Sequence, residues 1–162
     1  MEITVVKEFV DACHQAKRIT ELMPELPKGM SPRHIHVIDA VRDLGQSNKT
    51  VKVSDISAYL NVTRPSITKL VNELEKMDVV QKIPDEEDGR VIRVRLTDLG
   101  EEYYDFYVRR YHTWLAEKFT DISPEDFRTT VRTVRQVYQI MSTNRMEERS
   151  ERTDQIRSQT RQ

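Results

Sequence analysis

Two helical patterns followed by two strand-like runs constrain the fold of this chain more than any other feature. Within residues 54–100, a short helical pattern and a longer one are separated by residues 61–62, where a turn is expected. Two β-rich runs follow, at residues 79–83 and 91–96, joined by a loop with four consecutive acids and a glycine. This order predicts a helix–turn–helix with a β hairpin behind it, the winged helix–turn–helix arrangement.

The longer helical pattern separates an apolar stripe from a polar face. The stripe follows three- and four-residue spacings, which predicts packing on the domain, and consists of Ile67, Leu70, Val71, Leu74 and Met77. The opposite face begins with short polar and cationic residues, namely Thr63, Arg64, Ser66, Thr68 and Lys69. Such side chains at a helix N-terminus can contact base edges and phosphates in a major groove. We therefore predict a recognition helix for double-stranded DNA, with an ordinary solvated face as the alternative.

The predicted hairpin contributes a second set of candidates for binding DNA. Arg90 and Arg93 can reach a minor groove or backbone phosphates, because a narrow minor groove has enhanced negative potential. Asp88 precedes Arg90 by two residues, and a carboxylate in that position can pair with the guanidinium and fix its direction. The predicted wing residues are thus Asp88, Arg90 and Arg93, and a solvated charged hairpin is the alternative.

The segments on either side of this region have helical patterns with broad apolar stripes. We predict one domain over residues 1–162, mainly α with a small antiparallel β-hairpin wing. Its DNA-reading region covers about residues 31–100. A helical dimerisation lobe takes in about residues 3–24 and 98–144, because long apolar helices have little to pack against on a small DNA-binding unit. A monomeric helical cap is the alternative, and residues 145–162 form a polar tail.

Composition leaves the function open. The chain has 26 Lys and Arg against 27 Asp and Glu, for a net charge of −1, and residues 49–98 hold nine of each sign. Attraction to phosphate then depends on cations sorted onto one face. A winged-helix module that binds proteins without binding DNA therefore stays open as an alternative.

Other classes of function are disfavoured by what the sequence lacks. There are four glycines, no Gly-rich phosphate loop and no Gly-x-Ser-x-Gly motif, so we predict no enzyme and no cofactor. No apolar run is long enough for a membrane span, the N-terminus lacks a signal pattern, and Cys13 is the single cysteine. These features predict a cytoplasmic protein without a membrane partner.

Three motifs taken together resemble the MarR (multiple-antibiotic-resistance regulator) family of bacterial transcription factors. They are the recognition-helix pattern over residues 62–77 followed by Val79-Val80, then Asp88-Gly89-Arg90, and then Leu96-Thr97-x-x-Gly100. The resemblance covers about residues 3–144. It implies a homodimeric regulator, a repressor that binds a palindromic operator, with the arginine matching Arg90 in the minor groove and the acid matching Asp88 holding it. Two departures are Asp78, where relatives often have glycine, and Gly89, where they often have a second arginine.

The resemblance also implies sensing, in one of three forms. Relatives are commonly released from DNA by a small aromatic effector, and one helix side here carries candidate pocket residues, namely Tyr103, Tyr107, Tyr111 and Trp114. A packed core is the alternative for these residues. A redox-sensing relative would use Cys13, for which an inert thiol is the alternative. A metal-sensing relative would draw on its histidines, but His34 and His36 point to different helix faces and no ligand spacing is present, so we predict no metal site.

Overall fold

The computed structural model of the protein describes residues 1–45, 50–85, 88 and 91–143. It is mainly helical with a small antiparallel sheet, which confirms the predicted fold class. Seven α-helices are described, α1 Ile3–Thr20, α2 Pro32–Leu44, α3 Val53–Leu60, α4 Arg64–Lys76, α5 Asp98–Tyr104, α6 Tyr111–Lys118 and α7 Pro124–Thr143. A π-helical turn, Asp105–Arg110, joins α5 to α6.

Local sequence signals account for most of the helix ends. Pro32 occupies the first position of α2, where its missing N–H has no helical partner to lose. Thr97 caps α5, because the Gly100 N–H donates to Thr97 Oγ1 at 3.1 Å. Ser54 lies inside the third helix and does not cap it. That helix begins at Val53, with Lys52 as its N-cap, because the chain enters it directly from a strand.

The sheet has three strands, β1 Val51–Lys52, β2 Val80–Pro84 and β3 Ile92–Leu96. Their order is β1-β3-β2 and all pairs are antiparallel, with Val51 opposite Val94 and Val80 opposite Leu96. The predicted hairpin is therefore present, and the short run before α3 adds a third strand to it. This pairing ties the wing to the start of the helix–turn–helix.

The core lies between α2, α3, α4 and the sheet. The fully buried positions include Ile38 of α2, Ile56 of α3, Ile67 and Leu74 of α4, and Val94 of β3, each 0 % exposed. Apolar burial of this kind is the main favourable term in folding. Because the stripe of α4 is locked into this core, its opposite face is held outward.

The described chain separates into two compact units. The first covers Met1–Glu117 and the second begins at Lys118. In neither α1 nor α7 is any residue buried. The predicted division into a DNA-reading region and a dimerisation lobe stays a prediction, since a dimer interface is defined by a second chain. None of the described helices has the length and apolarity that crossing a membrane requires.

Candidate nucleic-acid interface

The N-terminal half of α4 presents the predicted recognition residues to solvent. Thr63, Arg64, Ser66, Thr68 and Lys69 are all exposed, whereas Ile67 between them is completely buried. Two internal bonds hold the polar residues in place. Thr63 Oγ1 lies 3.0 Å from Ser66 Oγ, and Thr68 Oγ1 donates to the Arg64 carbonyl at 2.9 Å. The helix therefore offers an ordered polar edge above a rigid apolar base.

This edge faces two different grooves. Arg64 and Thr68 line a cavity of about 460 Å³ on the side of the sheet, together with Lys52, Ser54, Asn72, Lys82, Val91 and Ile92. Ser66 and Lys69 line a second cavity of about 750 Å³ on the side of α2, with Arg33, His34 and His36 on its far wall. Arg64, Thr68 and Lys69 also line one surface along the outside of α4, so the predicted residues share the exposed side of one helix.

Lysines missed by the sequence analysis flank the first groove. Lys82 Nζ reaches from β2 to α4, donating to Asn72 Oδ1 at 2.9 Å and pairing with Glu75 Oε2 at 2.7 Å. Lys52 approaches from β1. Strand pairing brings these cations beside α4, and a basic groove is the electrostatic signature of phosphate binding. Only the sheet order could have revealed them, because each lies at a strand edge far from the helix in sequence.

Asp85 organises the base of the wing, a role that the sequence analysis did not assign. Its carboxylate is buried, 8 % exposed as a residue, and accepts from Arg93 Nε at 2.5 Å. The Asp88 N–H donates to Asp85 Oδ1 at 3.2 Å, and the Asp85 N–H donates to the Val91 carbonyl at 2.9 Å. One acid therefore binds both sides of the loop. In the sequence Asp85 is the first of four consecutive acids, and nothing in that run indicates that it is buried.

The three predicted wing residues differ in their contacts with Asp85 and its neighbours. Arg93 is engaged at Nε by Asp85, which favours a role in fixing the wing. Asp88 is exposed and its carbonyl accepts from the Val91 N–H at 2.8 Å. Arg90, which Asp88 is expected to hold, and Gly89 lie outside the described residues. DNA contacts by the three stay predictions.

The aromatic residues predicted to line a ligand pocket fall into two pairs. Tyr103 and Tyr107 meet edge to face, with ring centroids 5.8 Å apart, and Tyr107 is buried. The Tyr107 hydroxyl donates to the Glu25 carbonyl at 3.2 Å, and burial raises its pKa. Tyr111 and Trp114 stack at 6.1 Å, with Trp114 51 % exposed. Tyr107 therefore packs in the core, while Tyr111 and Trp114 form a surface that a flat ligand can contact.

The candidate sensing residues are dispersed over the described structure. Cys13 is exposed on α1. His34 is buried and hydrogen-bonded to Ser31 and Glu73. His36 and His112 are exposed and lie near Asp39. Burial raises the pKa of the Asp39 carboxyl, and the neighbouring Asp43 raises it further. Within the described ranges, no three His, Cys, Asp or Glu side chains converge as a metal site would require.

Part of this arrangement matches the model of a known protein family. The model of the MarR family matches residues 28–91, from the turn before α2 to the residue before β3. Over these residues the chain is similar to the MarR family. The match contains the whole helix–turn–helix and most of the wing described above.

Individual relatives show the same similarity. The Bacillus subtilis regulator YfiV is 31 % identical over 77 residues, 48 % of this chain and 48 % of YfiV. The Escherichia coli transcriptional repressor MprA is 26 % identical over 78 residues, 48 % of this chain and 44 % of MprA. The chain therefore spans about half the length of the curated relatives it matches. Streptococcus pneumoniae FabT, solved in complex with DNA, superimposes with a TM-score of 0.63 and 23 % identity, over 88 % of this chain and 99 % of FabT. That likeness shows that the two chains share a fold.

Contacts in the structure give a physical meaning to the Leu-Thr-x-x-Gly motif. Thr97 Oγ1 lies 2.6 Å from the Asp78 carbonyl and 3.1 Å from that of Val79, so it ties the start of α5 to the end of α4. A Cβ at Gly100 would lie 2.2 Å from the Val79 carbonyl oxygen. Only glycine permits this approach. The motif therefore holds the start of α5 against the junction between α4 and β2.

Proposed function

We propose that this chain is a member of the MarR family and a sequence-specific DNA-binding regulator of transcription, a homodimeric repressor and not an enzyme. The observation that carries the proposal is the solvent-facing N-terminal half of α4, with Arg64 and Lys69 on opposite flanks and the wing beside it. In winged-helix proteins such a helix enters the major groove by its N-terminal residues. The description of MprA as a repressor and the FabT–DNA complex support the same function.

Two grooves next to α4 divide the proposed contacts. Arg64, Thr68 and Ser66 read base edges from the helix, while Lys69, Lys52 and Lys82 neutralise phosphates on its two flanks. The wing, braced by the Asp85–Arg93 pair, delivers Arg90 to the adjacent minor groove. Base contacts supply sequence preference, and phosphate contacts supply the salt-dependent share of the affinity.

Exposed apolar helices support the homodimer. On α7 the stripe of Phe127, Val131, Val134, Tyr138 and Met141 is 41–60 % exposed, and on α1 Val6, Val10 and Ile19 are 44–57 % exposed. Exposed apolar residues that recur along one side of a helix are typical of a surface that binds a partner. A two-fold dimer places two recognition helices on half-sites about one helical turn, ~10 bp, apart, so the proposed operator is a palindrome.

Release by a small aromatic effector completes the proposed mechanism. The stacked Tyr111 and Trp114 pair, with Trp114 half-exposed, offers a flat surface on which an aromatic ring can lie. An effector bound there would change the geometry of the long helix and thereby the separation of the two recognition helices. DNA affinity would then fall without a change in the helix–turn–helix itself.

Selection of bound duplexes from a random pool, followed by fluorescence anisotropy, tests this function. We expect a palindromic consensus and affinity that falls steeply between low and high salt. Arg64→Ala should weaken binding to the selected duplex by about 1–3 kcal/mol, because it removes a groove contact. Lys28→Ala, which removes an exposed cation from the linker before α2, is the matched control and should change affinity little.

One observation favours a second candidate, a winged-helix module that binds proteins. Residues 49–98 carry nine cations and nine acids, so the DNA-reading region has no net positive charge. The same titration separates the two candidates. Saturable, salt-dependent binding supports the regulator, whereas the absence of saturable binding at low salt would favour the interaction module.

A further inference from the structure

A buried histidine connects the start of α2 to the recognition helix. His34 is 4 % exposed and is the third residue of α2. The Ser31 N–H donates to His34 Nδ1 at 3.0 Å, so the neutral ring carries its proton on Nε2. Nε2 lies 3.0 Å from Glu73 Oε2 on α4. The imidazole therefore caps one helix with one nitrogen and binds the other helix with the second.

The carboxylate that His34 holds lies beside a proposed phosphate-binding lysine. Glu73 Oε1 is 3.9 Å from Lys69 Nζ, four residues earlier on α4, and the lysine side chain is 77 % exposed. Glu73 also lines the outer surface of α4 together with Arg64 and Lys76. If the Glu73 carboxylate turned outward, it would repel a phosphate bound at Lys69, because its side chain is 36 % exposed and Lys69 Nζ is only 3.9 Å away.

We propose that His34 is a positioning residue for DNA binding, which acts by keeping the Glu73 carboxylate turned toward α2. This inference rests on the proposed function. With one oxygen bound to a buried imidazole, Glu73 stays away from the phosphates and its other oxygen directs Lys69 along the helix. Without the His34 imidazole, the Glu73 carboxylate is free to turn toward the DNA. Without the Glu73 carboxylate, replacing His34 no longer changes DNA affinity.

A double-mutant cycle on the selected duplex tests this coupling. His34→Asn keeps an acceptor near the position of Nδ1 for the α2 cap but is too short to reach Glu73. We expect it to lower affinity by about fivefold in the natural background, the effect of a single partly exposed charge. In the Glu73→Gln background it should leave affinity unchanged. His34→Gln, which places a donor close to Nε2, should retain most of the natural affinity.

Equal losses in the two backgrounds would mean that His34 only supports the fold, and this would overturn the inference while leaving the proposed function intact. The inference would also be overturned if His34→Asn bound the duplex as tightly as the natural chain does. Absence of any saturable DNA binding by the natural chain would instead overturn the proposed function. Thermal unfolding by circular dichroism compares the variants, so that a change in affinity is not attributed to an unfolded protein.

Nitrogen-15 NMR of the histidine rings keeps the inference testable if His34→Asn fails to fold. We expect His34 in the natural chain to show the neutral tautomer protonated on Nε2, with a resonance that moves in Glu73→Gln. A His34 signal that is identical in the two proteins would show that the Glu73 contact does not form. That result would overturn the inference without reference to DNA.

Discussion

The backbone conformation of Asp78 lowers the free energy of unfolding. Asp78 has φ of 58° at the junction of α4 and β2, a left-handed conformation that is strained for every residue with a Cβ, less so for Asn and Asp than for the others, and unstrained for Gly. Its acidic side chain also lies near the C-terminal end of α4, where the helix dipole disfavours negative charge. Relatives with glycine at this position avoid both penalties, which gives the sequence departure a physical meaning.

Replacing Asp78 separates the two penalties. Asp78→Gly should raise the free energy of unfolding by about 0.5–1 kcal/mol, because it relieves the left-handed strain and removes the charge. Asp78→Asn removes the charge but keeps a side chain that tolerates this conformation, so it should recover only part of the gain. Urea unfolding at constant pH measures both. A glycine variant no more stable than the natural chain would refute the strain argument.

At the scale of the element, the wing is held by a pairing that joins its two strands. Asp85 follows β2, Arg93 belongs to β3, and the side chains are 6 % and 32 % exposed. A buried charge that loses its partner is costly, whereas an exposed pair contributes little. The Arg42–Glu101 pair between α2 and α5, with side chains 45 % and 50 % exposed, is of the second kind.

This contrast predicts unequal effects of matched substitutions. Asp85→Asn should lower the free energy of unfolding by about 1–3 kcal/mol, because the buried Arg93 contact loses its charge. Glu101→Gln should cost less than about 1 kcal/mol. Hydrogen exchange should also accelerate at the Asp88 and Val91 amides in Asp85→Asn, since both belong to the network that Asp85 organises. Equal losses of stability in the two variants would contradict the proposed role of Asp85.

For the whole molecule, the proposed dimer makes DNA affinity depend on surfaces that do not touch DNA. A region without net positive charge gains affinity when two copies bind half-sites held at the correct separation. The apolar side of α7 is therefore part of the proposed mechanism, although it lies outside the helix–turn–helix. Val131 lies within that stripe and is 46 % exposed.

Introducing a charge into this stripe tests the dimer directly. Val131→Glu should shift the protein from dimer to monomer and lower operator affinity by at least tenfold, because a charge would be buried without a partner at the interface. Gln136→Glu adds the same charge on the opposite face of α7 and should leave both properties unchanged. Light scattering after size exclusion gives the molar mass. A monomeric natural chain would contradict the homodimer.

The order of elements and the exposed face of α4 were both determined by the sequence alone, because helix periodicity, caps and strand alternation are local signals. Tertiary structure decided the contacts that join distant positions. His34 meets Glu73 across 39 residues, Lys82 reaches α4 through the sheet, and Gly100 packs on the Val79 carbonyl. Such contacts have no local pattern, since they depend on which elements the core brings together. The same reason explains why a charged residue such as Asp85 looks like part of an acidic run in sequence and is buried in the fold.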